Sequence, residues 1–262
     1  MAELDGLGCT AVEELPDDGM RLFFATADAR QRAVDHLRSI PDLTMAASDV
    51  SDDDWGARSQ AAIGAVTVGA LTIAPPWAIP AEPPANRDRL IVIQPSMGFG
   101  TGHHASTRLC LEHLQAIPLA GLAVLDIGTG SGVLAIAAAR LGAAGVSAID
   151  VDPDALTNAR ENIDLNGVGG RVAVHECMLV DAPALLARRF DVVLANLTGG
   201  HLIREAHAFG TLAAPGARLI ASGFQAPESD EVMRALETAG WTLTTIAAEA
   251  TWVGAMFSSL RG

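Results

Sequence analysis

The chain has 262 residues, half of them apolar, with 26 Gly, 13 Pro and only 18% charged side chains. That suffices for a sizeable core and excludes disordered, collagen-like and coiled-coil chains. All 17 basic residues are arginines and tyrosine is absent, which removes phosphate-loop and Schiff-base lysines and any Tyr-Lys catalytic pair. The net charge of −14 argues against a grip on nucleic-acid phosphates and favours a cationic partner.

No apolar run approaches the roughly 18 to 20 residues of a membrane span. The start, with Glu3 and Asp5, lacks the basic and apolar regions of a secretory signal, so the chain reads as cytoplasmic. Cys9, Cys110 and Cys177 are widely spaced and odd in number; they read as reduced structural thiols.

Residues 1–73 read as a small α+β domain. A strand is expected at 20–25, a helix at 29–40 and one alternating strand at 65–73. This segment holds 13 acids against five arginines, a balance of −8 out of the total of −14. The acidic run at 49–54 ahead of Trp55 reads either as a solvated helix start or as a docking face for a basic protein. Pro75, Pro76, Pro80, Pro83 and Pro84 then block helix and deprive a strand of ladder donors, so residues 74–89 read as a semi-rigid linker.

From residue 90 to 262 strand and helix alternate, the signature of a doubly wound α/β domain. Strands are expected at 90–93, 123–127, 146–150, 171–176, 190–195 and 217–222. Helices are expected at 106–117, 132–141, 153–166, 200–212 and 228–239. Two last strands, 242–248 and 252–258, are separated by so short a turn that they must pair antiparallel.

Three strand ends carry the candidate chemistry. The run Asp126-Ile127-Gly128-Thr129-Gly130-Ser131-Gly132 leads from strand through a glycine turn into helix. A dinucleotide fingerprint needs its third glycine where Val133 stands. The spacing of Gly128, Gly130 and Gly132 instead fits the turn under the methionine moiety of S-adenosylmethionine. Asp150, at the end of the next strand, suits the two hydroxyls of an adenosine ribose, while Asp152 suits the cap of the helix that Pro153 opens. Asn196 ends a later strand, where its amide oxygen either orients a neutral amine or merely terminates the strand. Upstream, Gly98-Phe99-Gly100-Thr101-Gly102 reads as a ligand-wrapping loop, with Ser106 capping the next helix. His103 and His104 have no metal-ligand spacing.

Together, the loop from Gly98 to Thr107, the Asp126 to Gly132 turn, Ile149-Asp150-Val151-Asp152-Pro153 and Ala195-Asn196-Leu197 resemble the bacterial lysine methyltransferases of large-subunit ribosomal protein eleven. The Phe-Gly-Thr-Gly loop ahead of the fold is the distinctive part. The resemblance, from about residue 50 onward, implies a Rossmann-like class I methyltransferase sheet, mostly parallel with a closing antiparallel hairpin. It also implies a small N-terminal α+β domain that grips the substrate, shortened relative to the family. The cofactor implied is S-adenosyl-L-methionine. Its contacts are implied at Phe99, Gly100, Thr101, Thr107, Asp126, Gly128, Gly130, Asp150 and Asn196, with Asn196 also catalytic. The implied partner is a basic protein, ribosomal protein eleven, methylated on lysine and N-terminal amines, with no direct nucleic-acid or membrane binding and no metal. Thr198-Gly199-Gly200 replaces large apolar residues followed by alanine, which leaves open another protein or a small molecule as acceptor. A non-catalytic cofactor-binding regulator is a further alternative.

Overall fold

The computed structural model describes residues 9–14, 20–24, 26–38, 45–47, 63–82, 86–95, 102–182 and 186–259. The acidic run at 49–54 and the loop residues Phe99, Gly100 and Thr101 lie outside them. The chain divides into two units, Met1–Arg58 and Ser59–Gly262.

In the first unit, strands β1 (Cys9–Glu14) and β2 (Met20–Phe24) pair antiparallel, and helix α1 (Ala27–Leu37) follows. The Thr26 hydroxyl starts α1 by accepting from the Ala29 amide at 3.2 Å, and Ala29 and Ala33 are its buried residues. The first strand was not among the expected elements; the second and the helix were.

The second unit begins before the expected boundary. Residues 65–73 are not one strand but a hairpin, β3 (Val66–Val68) and β4 (Leu71–Ala74), turning at Gly69 with φ +56°. The Gln115 carboxamide clamps that turn, accepting from the Ala70 amide at 2.8 Å and donating to the Val68 carbonyl at 3.0 Å. Strand β4 then pairs in parallel with β5 (Leu90–Val92). The proline-rich stretch is therefore a crossover inside this unit, since parallel neighbours need a connection that carries the chain back. Val68, Leu71, Ile73, Ile91 and Ile93 share a buried cluster with Leu111 and Leu114, which is why the hairpin belongs here and not with residues 1–58.

Helix α2 (Ala105–Gln115) precedes the main sheet. Then come β6 (Ala123–Ile127), α3 (Val133–Arg140), β7 (Gly145–Asp150), α4 (Pro153–Leu165), β8 (Val172–Glu176) and β9 (Phe190–Asn196). They are followed by α5 (Gly199–Leu212), β10 (Ala213–Gln225), α6 (Ser229–Thr238), β11 (Trp241–Glu249) and β12 (Trp252–Ser259). The sheet order is β11-β12-β10-β9-β6-β7-β8. Strands β6 to β10 run parallel, and β12 lies antiparallel between β10 and β11, so the closing hairpin inserts its second strand next to the parallel set.

Alternate residues of one strand feed opposite cores, as the two-residue strand period requires. Val124, Val192 and Leu194 pack with α2, α3 and β3 to β5, whereas Leu125, Val193 and Ala195 pack with α5 and α6. Residues Val133 to Ala139 of α3 are buried all round, which suits a helix covered by both sheet and neighbouring helices.

Candidate functional site

The sheet reverses direction of growth between β6 and β9, and ligands of open α/β sheets bind outside the carboxyl ends of the strands at such a point. Register puts the three candidate strand ends level there. Ile127 pairs with both Ile149 and Ala195, so Gly128, Asp150 and Asn196 leave β6, β7 and β9 side by side.

The turn after β6 has φ values of +69° at Gly128, +54° at Gly130 and +82° at Gly132, a left-handed backbone that side chains other than glycine resist. A Cβ on Gly128 would stand 2.6 Å from Leu197 Cδ2, so the bare backbone also admits the residue next to Asn196. Gly132 comes against Ala159 of α4, where an added Cβ would lie 3.4 Å from its Cα.

Two carboxylates brace this turn. Asp126 is 1% exposed and accepts from the Thr129 hydroxyl at 2.7 Å and the Ala135 amide at 3.2 Å. Burial pushes its pKa up to about 6, against the stabilising Thr129 and Ala135 hydrogen bonds and with some help from the Asp150 charge. Both hydrogen bonds fall within the turn and its helix, so Asp126 braces the glycine turn from beneath. Asp150 is half-buried. One oxygen accepts from the Gly130 amide at 2.9 Å, the other from the Val151 and Asp152 amides at 2.8 and 3.1 Å. Asp152 caps α4 through the Asp154 amide at 2.9 Å, as its position before Pro153 suggested.

Asn196 reaches Thr107, the buried first-turn residue of α2, donating from Nδ2 to its hydroxyl at 3.3 Å. Among the described residues nothing donates to Asn196 Oδ1, which leaves an acceptor at the sheet edge. Thr107, Gly128, Gly130, Asp150 and Asn196 thus converge on one region.

Ser106 does not cap α2; His104 does. Its Nδ1 accepts from the Ser106 amide at 3.3 Å and lies 2.7 Å from the Ser106 hydroxyl. The imidazole meets Trp252 edge to face, with ring centres 4.4 Å apart. Burial first, then the Arg108 charge, lowers its pKa, with Glu249 opposing. Arg108 Nε sits 3.0 Å from both Glu249 oxygens, and its Nη1 donates to the His103 carbonyl. The start of α2 is thereby latched to the β11–β12 hairpin. The Arg108 hydrogen bond holds the Glu249 carboxyl below its usual pKa.

Other residues at this edge had no sequence motif to announce them. Val151, Met178 and Val180 are exposed by 61, 60 and 70%, and the Cys177 amide donates to the Asp150 carbonyl, placing these apolar groups beside the acidic strand end. Beyond Asn196, the Thr198 hydroxyl lies 2.7 Å from His201 Nδ1. Asn162 of α4 donates to the Ser131 carbonyl inside the glycine turn at 2.9 Å. Its signal was legible in retrospect: Asn158, Asn162 and Asn166 recur at helical spacing on one face.

Two cavities, of about 380 and 250 Å³, lie elsewhere. The larger is bordered by Arg140 and Arg171, whose guanidinium groups donate to the Asn166 and Ala139 carbonyls at the ends of α4 and α3. They act there as helix C-terminal caps.

The site fits S-adenosylmethionine by its own chemistry. It offers a glycine turn open to backbone approach, a partly exposed carboxylate one strand over, exposed apolar side chains beside it and an amide oxygen to which no described residue donates. Comparison with known proteins agrees. The model of the family described as ribosomal protein L11 methyltransferase (PrmA) matches residues 17–259. A protein of that name from Geobacter metallireducens is 35% identical over 264 residues, covering 95% of this chain and 85% of the relative. Another from Deinococcus radiodurans is 40% identical over 194 residues, covering 73% of this chain and 70% of its own length. The solved structure of a ribosomal protein L11 methylase from Lactobacillus delbrueckii subsp. bulgaricus superimposes with a TM-score of 0.67 at 28% identity, covering 75% of this chain and 98% of that one. With the family match spanning both units and the strand-end residues in register, the chain belongs to the ribosomal protein L11 methyltransferase family.

Proposed function

We propose that this chain is an S-adenosylmethionine-dependent N-methyltransferase that modifies lysine side chains and the N-terminal amine of ribosomal protein L11. The observation that carries the reading is the family match over residues 17–259, joined to the level placement of Gly128, Asp150 and Asn196 at the switch point. When bound, S-adenosylmethionine supplies a methyl group already activated by its sulfonium charge.

The glycine turn at Gly128 and Gly130 would hold the methionine end of the cofactor, Asp150 would accept from the ribose hydroxyls, and exposed Val151 and Met178 would offer apolar surface to the adenine. Thr107 completes the enclosure. The sequence resemblance adds Phe99, Gly100 and Thr101, which lie outside the described residues. Asp126 acts on the cofactor indirectly, by fixing the turn through Thr129 and Ala135.

Asn196 does the positioning. With Nδ2 committed to Thr107, Oδ1 would accept a hydrogen bond from the incoming amine and so orient its nitrogen lone pair. Oriented approach of this kind is worth up to about 7 to 11 kcal/mol. The amine must first lose a proton to solvent, since a free lysine has a pKa near 10.4. A desolvated site beside a positive charge lowers that value.

The front unit is the substrate grip in this reading. It carries all the acidic excess of residues 1–73, which suits a basic protein. Among the described residues no helix is long and apolar enough to cross a membrane.

The test is methyl transfer from labelled S-adenosylmethionine to unmethylated large-subunit proteins, followed by mass spectrometry. Label in L11 is the expected result. Cofactor binding with L11 unlabelled would keep the fold and cofactor but overturn the acceptor.

A further inference from the structure

Helix α4 buries three asparagines on one face, Asn158, Asn162 and Asn166, exposed by only 6, 0 and 5%. A carboxamide is costly to bury unless its donors and acceptor find partners, so each must be answering a backbone. Each does. Asn166 treats Val92 as a strand neighbour would, accepting from its amide at 2.9 Å and donating to its carbonyl at 2.6 Å. Asn158 donates to the Gln94 carbonyl at 3.1 Å.

Asn162 differs from both in facing two pieces of chain at once. Its Oδ1 accepts from the Gln94 amide at 2.7 Å, while its Nδ2 donates to the Ser131 carbonyl at 2.9 Å. Ser131 sits inside the glycine turn. Gln94 lies just past the end of β5. The other peptide groups of the turn are fixed by β7: the Gly128 and Thr129 amides donate to the Ile149 carbonyl and the Gly130 amide to Asp150. Asn162 supplies a further fixed point, from the helix side.

We propose that Asn162 is a positioning residue for S-adenosylmethionine, holding the glycine turn against the strand exit at Gln94 so that the turn keeps the backbone geometry the cofactor requires. This rests on the methyl-transfer reading above. Asn166 is the internal comparison, because it makes the same kind of buried backbone contacts to Val92 yet touches no part of the turn. A ladder that served only to glue β5 to α4 would make the two rungs equivalent.

The experiment compares Asn162→Asp with Asn166→Asp in the full chain. Both changes are isosteric, keep the acceptor oxygen and remove the donating NH₂. Affinity for S-adenosylmethionine is measured by calorimetry, with the thermal midpoint and hydrogen exchange of the peptides spanning 90–95 and 126–134. Asn162→Asp is expected to weaken the cofactor at least tenfold and to speed exchange in both peptides. Asn166→Asp is expected to weaken it less than threefold and to speed exchange in 90–95 alone, even where the thermal midpoints fall together. If Asn162→Asp does not fold, Asn162→Ser, too short to reach Ser131, is measured against Asn166→Ser in the same way. Equal loss of affinity in the two positions, or wild-type affinity in the Asn162 variant, overturns the proposal alone. Failure of the unaltered chain to bind S-adenosylmethionine overturns the cofactor reading and this proposal with it.

Discussion

The turn after β6 and the turn after β9 leave the same sheet edge side by side, yet they are braced unequally. The first is braced from every side: Asp126 from beneath, Asp150 and Ile149 from β7, and Asn162 from α4. The second is tied only at its start, by the Leu197 amide to the Ser222 carbonyl and by Asn196 to Thr107, and then passes through exposed Thr198 and Gly200 on either side of buried Gly199, with an exposed Thr198–His201 pair beyond. A rigid half suits a ligand of constant shape that returns every turnover. An open half suits an acceptor presented by a separate macromolecule.

The largest effect is expected on the open side. Asn196→Ala removes the amide proposed to aim the amine, and misplacement of that order costs about 10²-fold in rate. Turnover should fall by about that factor while the Kd for S-adenosylmethionine stays within a few-fold. Titration calorimetry together with single-turnover labelling separates the two. A Kd that rises as steeply as the rate falls would place Asn196 with the cofactor and not with the acceptor.

Gly128→Ala acts on the braced side and reaches across. A side chain at φ +69° costs roughly 1 to 2 kcal/mol for the left-handed backbone. The new methyl also displaces Leu197, the neighbour of Asn196. Loss of cofactor affinity and of turnover together is the expected pattern, in contrast to Asn196→Ala. A variant that binds normally and is only slower would mean that the turn tolerates the methyl and that Leu197 alone moved.

Asp126 offers a pH-dependent test of the same brace. Its folded pKa of about 6 lies above the usual carboxylate value of 3.8, because burial disfavours the charge. The protonated form is therefore favoured by folding. The stability it contributes is complete below pH 3.8 and is lost as pH rises through 6, an effect of up to about 3 kcal/mol. Asp126→Asn should flatten that part of the ligand-free stability curve, read as the difference from the unaltered protein in denaturant midpoints between pH 4 and 7. Parallel curves would show that Asp126 is ionised throughout.

How much of this was legible in the sequence follows the same division between local and distant partners. The strand β6, the glycine turn, Asp150 and Asn196 were readable because a strand period and a turn are local patterns, and the register of parallel strands then made them level. The Asp152 cap was equally local. What escaped were features decided by contacts far along the chain. The strand expected at 65–73 folds into a hairpin because Gln115 holds its turn, and the proline-rich stretch became a crossover because β5 pairs with β4. The cap expected at Ser106 went to His104, which also packs on Trp252 from the far end of the chain. The asparagine face of α4 showed the helical period, but polar residues at that period read as solvent-facing until Val92, Gln94 and Ser131 are seen opposite them.

The smallest effect is expected at the latch that ties α2 to the closing hairpin. Arg108 is about one quarter exposed and Glu249 more than a third, at 23 and 41%, so solvent screens their pairing and its net worth is about 0 to 1 kcal/mol. Glu249→Gln should therefore lower the thermal midpoint only slightly, and less in high salt. The Arg108 hydrogen bond depresses the Glu249 pKa, so this contribution is present above the ordinary carboxylate value of 4.5 and is lost as pH falls through the lowered folded one. Its direction is opposite to that of Asp126. Thr107 sits one residue before Arg108 and receives Asn196, so the latch and the open half share a helix turn. If Glu249→Gln slows methyl transfer while leaving the thermal midpoint and the cofactor Kd untouched, the closing hairpin sets the aim of Asn196 through α2. The open turn would then be braced as well, only from farther away.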